Sequence, residues 1–194
     1  MKQLFTFLAI LSINFSSIAQ SQTFTLNNSD RTTFPNQFIA LEVDSLSIEE
    51  VYKRTIEWIN ITYNTPSEVI KSSLDNKYIR IQGVASNLYT YDPLGSLSAD
   101  VRYSIEFAFK DNRVKFDVTG TEFYISPSQY AAGGWTQLNF NNSKMYRKNG
   151  KPKKSAIKKS NQVMGYFNEL AESLNSYLNK PIEKSVTEND DWWF

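Results

Sequence analysis

The chain has 194 residues, 21 basic and 20 acidic side chains, and neither histidine nor cysteine. Without histidine there is no ordinary general base, no imidazole for a transition metal and no Ser-His or Cys-His pair. Without cysteine there is no disulfide and no lipid-modified N-terminal cysteine, and the near-neutral charge argues against a general nucleic-acid binder, which needs a basic footprint.

The first 19 residues read as a secretory signal. Lys2 supplies the positive start, Leu4 to Phe15 is mostly apolar, and Ser17-Ile18-Ala19 places small residues before a cleavage point at Gln20. That apolar core is too short to span a bilayer, and no other stretch is long and apolar enough. Cleavage removes Lys2 and no acid, so the mature chain would carry 20 basic and 20 acidic residues. An exported protein without disulfides fits the periplasm or cell envelope of a Gram-negative bacterium, or secretion. Residues 20–36 are polar and aperiodic and read as a flexible tether, residues 37–180 as a single domain with an irregular insertion at 126–154, and residues 181–194 as a tail.

Phe38 to Asp44 places Ile39, Leu41 and Val43 on one side, a first strand. Ser47 and Glu50 form a capping box for a helix running to about Tyr63, with Ile48, Val51, Tyr52, Ile56, Ile59 and Tyr63 at helical spacing; Pro66 prevents its continuation. Val69 to Leu74 and Lys77 to Ala85 flank Asp75-Asn76 and read as a hairpin, with Ile70 opposite Ile81 and Ser72 opposite Ile79. Ser86 to Asp100 reads as a long connection.

The strongest pattern is the next hairpin. Val101, Tyr103, Ile105, Phe107 and Phe109 alternate with polar residues, and Val114, Phe116 and Val118 do the same after the turn at Asp111-Asn112. A two-residue loop sets Phe109 opposite Val114, Phe107 opposite Phe116 and Ile105 opposite Val118, so turn and pattern agree on register. Gly120, where the apolar phase changes, predicts a bulge with Tyr103 covering the bare backbone. A second amphipathic helix is predicted from Ser155 to about Leu178, with Val163, Phe167, Leu170, Ala171, Leu174 and Leu178 as its stripe and Pro181 beyond its end.

The order strand, helix, four strands, helix predicts an α+β fold, β-α-β4-α: a curved antiparallel meander with two helices on one face and a polar opposite face. Val43-Asp44, Ser47 to Tyr52, Glu57-Trp58-Ile59, Val69-Ile70 and the strand from Ile79 to Gly83 together resemble a family of exported bacterial proteins, described as a domain of unknown function with a TATA-binding-protein-like (TBP-like) fold. The resemblance covers roughly residues 38–126. It implies the fold and no catalytic residues, and DNA binding does not follow from it, because fold does not imply function.

No stretch names a reaction or a ligand, so the candidates are surfaces. Glu106 falls opposite Asp117 on the open face, with Arg80, Arg102 and Lys115 as further polar residues of that face. Facing carboxylates suit a cation or acid-base work, even a retaining glycosidase, or are neutralised by Lys115 and Lys110 on a solvated surface. Tyr89 and Tyr91 with Tyr130 and Trp135 form an aromatic lip for a partner or a sugar, or fold back as extra core. Trp192-Trp193-Phe194 reads as a docking peptide or as packing onto its own domain. Lys144 to Lys159 holds eight basic residues and no acid, a surface for lipid headgroups, acidic glycans or an acidic tail, or simply a solvated loop and helical turn. Ser155-Ala156-Ile157-Lys158 matches S-x-x-K without its companion motifs, and Ser155 reads as a helix cap instead.

These features favour a non-catalytic exported binding domain that uses the open sheet face and aromatic loops to hold an envelope protein, a peptide or a glycan, without cofactor or metal. A carrier of hydrophobic ligands in which a curved sheet grips the long helix is the alternative, and a hydrolase using Glu106 and Asp117 the least favoured.

Overall fold

A computed structural model describes residues 23–26, 38–91, 97–110, 112–129, 132–140 and 143–181. Along the chain run β1 (Phe38–Glu42), α1 (Ile48–Thr62), a short α2 (Pro66–Val69), β2 (Ile70–Leu74), β3 (Tyr78–Tyr91), β4 (Leu97–Lys110), β5 (Arg113–Ile125), β6 (Gly134–Gln137), a 3₁₀ turn at Ser143–Met145 and α3 (Lys154–Leu178). The strands form one antiparallel sheet in the order β1-β5-β4-β3-β2, and β6 pairs with β5 beyond β1. It is the expected α+β fold with one strand more than β-α-β4-α: β6 forms inside the stretch read as irregular.

The central hairpin pairs as its alternation dictates. Lys110 faces Arg113, Phe109 faces Val114, Phe107 faces Phe116 and Ile105 faces Val118. Phe107 and Phe116 are fully buried, 5.5 Å apart edge to face. β1 extends the layer by setting Ile39 against Phe116 and Leu41 against Val114. Both long helices cover this side. α1 starts at the predicted capping box, with the Glu50 N–H donating to Ser47 Oγ and the Ser47 N–H donating to Glu50 Oε2. Its buried face is Val51, Thr55, Trp58 and Ile59, while Ile48, expected in the stripe, lies exposed at the helix end. Trp58 packs edge-on against Phe107 at 6.2 Å, and Phe167 of α3 against Tyr103 at 5.2 Å. Each such apolar side chain contributes about 1.5–3 kcal/mol on burial. These rings occupy the layer where a helix-gripping carrier would need its ligand cavity.

Four local features depart from expectation. The bulge lies beside Gly120 as expected, with Thr119 the extra residue on β5, but Gly120 faces Ser104 and Tyr103 faces Thr121; the bare backbone that the Tyr103 ring covers is Gly83, directly opposite it on β3. The first hairpin closes on three residues, pairing Leu74 with Tyr78 and Ser73 with Ile79, and a bulge between Ile70 and Ser72 restores Ile70 opposite Ile81. Most of Ser86 to Asp100 is strand: β3 and β4 pair on past a bulge, with Tyr89 opposite Ala99. Lastly, the segment read as a tether holds Phe24 in the core at 2% exposure.

Candidate functional site

The alternation that buries one side of the sheet delivers the intervening side chains to the other. Three rows cross this open face. Ser72, Arg80, Glu106, Asp117 and Phe38 stand in register on five neighbouring strands. Gln82, Ser104 and Gly120 form the next row, and Val84, Arg102, Glu122 and Gln137 the third. Ser104 and Gly120 in the middle row are small, and a groove of about 370 Å³ lies over them, walled by Arg80 and Gln82 on one flank and Arg102, Glu122 and Gln137 on the other. A Cβ added at Gly120 would come no nearer than 3.9 Å to Ser104, an ordinary van der Waals contact.

The charges along the walls are paired. Arg102 donates from Nε (2.9 Å) and Nη2 (2.6 Å) to Glu122 Oε2, and its guanidinium lies 4.5 Å from the centre of the Trp135 ring. Tyr124, opposite Trp135 on β5, meets the same indole edge-on at 5.4 Å. Glu106 does face Asp117, but each carboxylate has its own cation: Arg80 Nε is 3.9 Å from Glu106 Oε1, and Lys115 Nζ is 2.6 Å from Asp117 Oδ2. The Glu106 partner is therefore Arg80, directly opposite on β3, and not Lys115 or Lys110. Thr119 Oγ1 also donates to Glu106, at 3.4 Å. Lys115 further covers the Phe38 ring at 4.8 Å.

The aromatic lip divides. Tyr89 is core at 5% exposure, packed against Phe123 at 5.0 Å and Phe140 at 6.4 Å, and Tyr91 lies on Phe123 at 5.6 Å. Burial raises the Tyr89 phenol above its ordinary range. These two belong to the helix side of the sheet, because β3 continues through them in strand register and turns Tyr89 inward. Trp135 does stand on the open face, joined to Arg102. Tyr130, Trp192 and Trp193 lie outside the described residues. Gln82, Ser104, Glu122 and Gln137 were not singled out from the sequence, and Gly120 only as a bulge position, although the polar half of the same alternation marks Ser104 and Gln82.

The basic stretch is ordered around a small hairpin. Tyr146 bridges Pro152, Arg147 N–H donates to the Lys151 carbonyl at 2.8 Å, and Gly150 adopts a positive φ of 79°. α3 then begins with Lys153 as N-cap, without a side-chain cap bond and without an acid in the first turn. Ser155 lies inside the helix and is not its cap. Beneath the sheet, Tyr103 Oη lies 3.2 Å from Tyr63 Oη and 3.0 Å from Tyr166 Oη, and burial pushes all three phenols well above their ordinary range. Among the described residues, no group of three or more acidic side chains is placed to hold a metal ion, and no helix is long and apolar enough to cross a membrane.

Residues 38–124 match the model of a domain of unknown function (DUF4468) with TBP-like fold. Among solved structures, a DUF4468 family protein from Bacteroides ovatus is similar with a TM-score of 0.56 at 12% identity, over 75% of this chain and 86% of that one. A TBP-like protein from Parabacteroides distasonis gives a TM-score of 0.53 at 13% identity, over 73% and 90%. At such identities the likeness concerns the fold alone, and among curated proteins none matches this chain. The chain thus has a TBP-like fold, and its residues 38–124 are similar to the DUF4468 family.

Proposed function

We propose that this is a non-catalytic, exported binding domain whose ligand, an envelope protein, a peptide or a glycan, lies in the groove over Ser104 and Gly120. The observation that carries the reading is the groove itself: a floor of small residues, walls of Gln and paired Arg-Glu groups, and Trp135 beside Arg102. Amide, guanidinium and carboxylate groups offer donors and acceptors at fixed spacing, and a ligand that bonds to them need not break the ion pairs. The apolar start of the chain, behind Lys2 and ahead of Ser17-Ile18-Ala19, supports export.

Gly120→Leu provides the test, because its side chain would enter the groove from a strand position where an added Cβ meets nothing nearer than 3.9 Å. The wild type and this variant are exposed to peptide and glycan arrays. Ligands retained by the wild type and lost from the variant support the reading. Ligands retained equally by both place the binding surface elsewhere.

A further inference from the structure

The short segment at residues 23–26 makes a contact on the side of the sheet away from the groove. The Phe24 N–H donates to Asn168 Oδ1 at 2.7 Å, and Asn168 Nδ2 donates back to the Phe24 carbonyl at 3.1 Å. One side-chain amide on α3 thus bonds both backbone groups of a single residue, as a facing residue does in a hydrogen-bonded antiparallel pair. The Phe24 ring enters the buried cluster and meets the Phe116 ring of β5 at 6.2 Å, tilted by 50°. A main-chain clamp that accepts any residue, set beside a pocket that accepts an aromatic ring, is how extended peptides are recognised: the backbone bonds supply affinity and the pocket supplies specificity.

We infer that the site between α3 and β5 is a peptide-binding pocket for an extended segment carrying phenylalanine, and that residues 23–26 are its occupant in cis. The site is on the helix side of the sheet, so it is independent of the groove. Covalent attachment gives the cis segment an effective concentration on the order of millimolar. A partner peptide of the same chemistry therefore competes only weakly while Phe24 is in place.

The test uses the full chain carrying Phe24→Ala and a fluorescein-labelled peptide of residues 20–28, followed by anisotropy. Saturable binding to the variant is expected, at least tenfold weaker binding to the wild type, and loss of binding when the peptide carries the same substitution. Adding Asn168→Ala to the variant should weaken binding at least tenfold. Where Phe24→Ala prevents folding, an excess of the peptide should restore the far-UV circular dichroism of the wild type. Absence of both binding and rescue, or equal affinity for wild type and variant, overturns the inference.

Discussion

Replacing Gly83 with alanine places one methyl group against the buried ring of Tyr103. The new Cβ would lie 2.6 Å from Tyr103 Cζ and 2.9 Å from Cε2, closer than carbon atoms approach without displacement. Tyr103 is 1% exposed and held by Phe167 on one side and the Tyr63 and Tyr166 hydroxyls at its tip, so the ring has no free direction in which to move. Overpacking of this kind costs about 1–3 kcal/mol, and a shifted ring also gives up two hydroxyl contacts of about 0.5–1.5 kcal/mol each. The sum, about 2–6 kcal/mol, is a large part of the roughly 5–15 kcal/mol that holds a domain folded. Urea unfolding followed by circular dichroism measures it. The decisive comparison is with Tyr103→Ala, which alone should cost about 3–5 kcal/mol through its cavity. In that background Gly83→Ala should add less than about 0.5 kcal/mol, because the obstructing ring is gone. A loss below about 1 kcal/mol in the wild type, or an undiminished loss in the Tyr103→Ala background, would refute the close approach.

The remaining predictions concern charge, capping and pH. Ser47→Ala should cost about 0.5–2 kcal/mol by thermal unfolding. The backbone and hydroxyl hydrogen bonds of Ser47 hold the Glu50 carboxyl below its ordinary range, so its contribution is present at neutral pH and lost as pH falls through the lowered value; Ser47→Ala should flatten that acid dependence. Burial raises the phenols of Tyr63, Tyr103 and Tyr166, so their stabilisation is intact below about pH 10, the ordinary phenol value, and lost as pH rises beyond it. In ultraviolet titration these three should ionise only together with unfolding, and early, reversible ionisation of all the tyrosines would contradict their burial. Glu106→Gln should change stability by less than about 1 kcal/mol, since its pair with Arg80 is long and partly exposed; a larger loss in urea would reveal a structural ion pair.

The central hairpin was legible because every second residue from Val101 to Phe109 is apolar, so a slip of one place would turn five side chains into water. β2 carries no such constraint. Its residues Lys71 to Leu74 are all exposed, and with neither face buried the pattern does not specify register. There Asn76 takes a positive φ of 59° inside a three-residue turn, closed by the Lys77 N–H to the Leu74 carbonyl at 3.0 Å. The continuation of β3 was hidden by the bulge between Ala85 and Tyr89, where Asn87 has a φ of 55° and its N–H is taken by Asp100 at 2.9 Å. The interruption of alternation reads as a loop, and Tyr89 and Tyr91 then read as loop aromatics. Phe24 has only Leu26 at strand spacing, too short a pattern to mark an element, and its backbone is held by Asn168, 144 residues away. The groove was legible only in part: the open face follows from alternation, whereas the meeting of Arg102 with Glu122 and Trp135 depends on the bulge beside Ser104 and on a strand, β6, too short to stand out.

Because the chain contains no cysteine, single introduced thiols report directly on which side of the sheet meets water. Gln82→Cys, in the groove wall, and Val118→Cys, beneath the helices, are treated with a methanethiosulfonate reagent under native conditions. The thiol at position 82 should react within seconds, and the thiol at 118 only at the rate of global unfolding. Protection of position 82 in the native protein, or rapid labelling at 118, would contradict a sheet roofed on one side and open on the other.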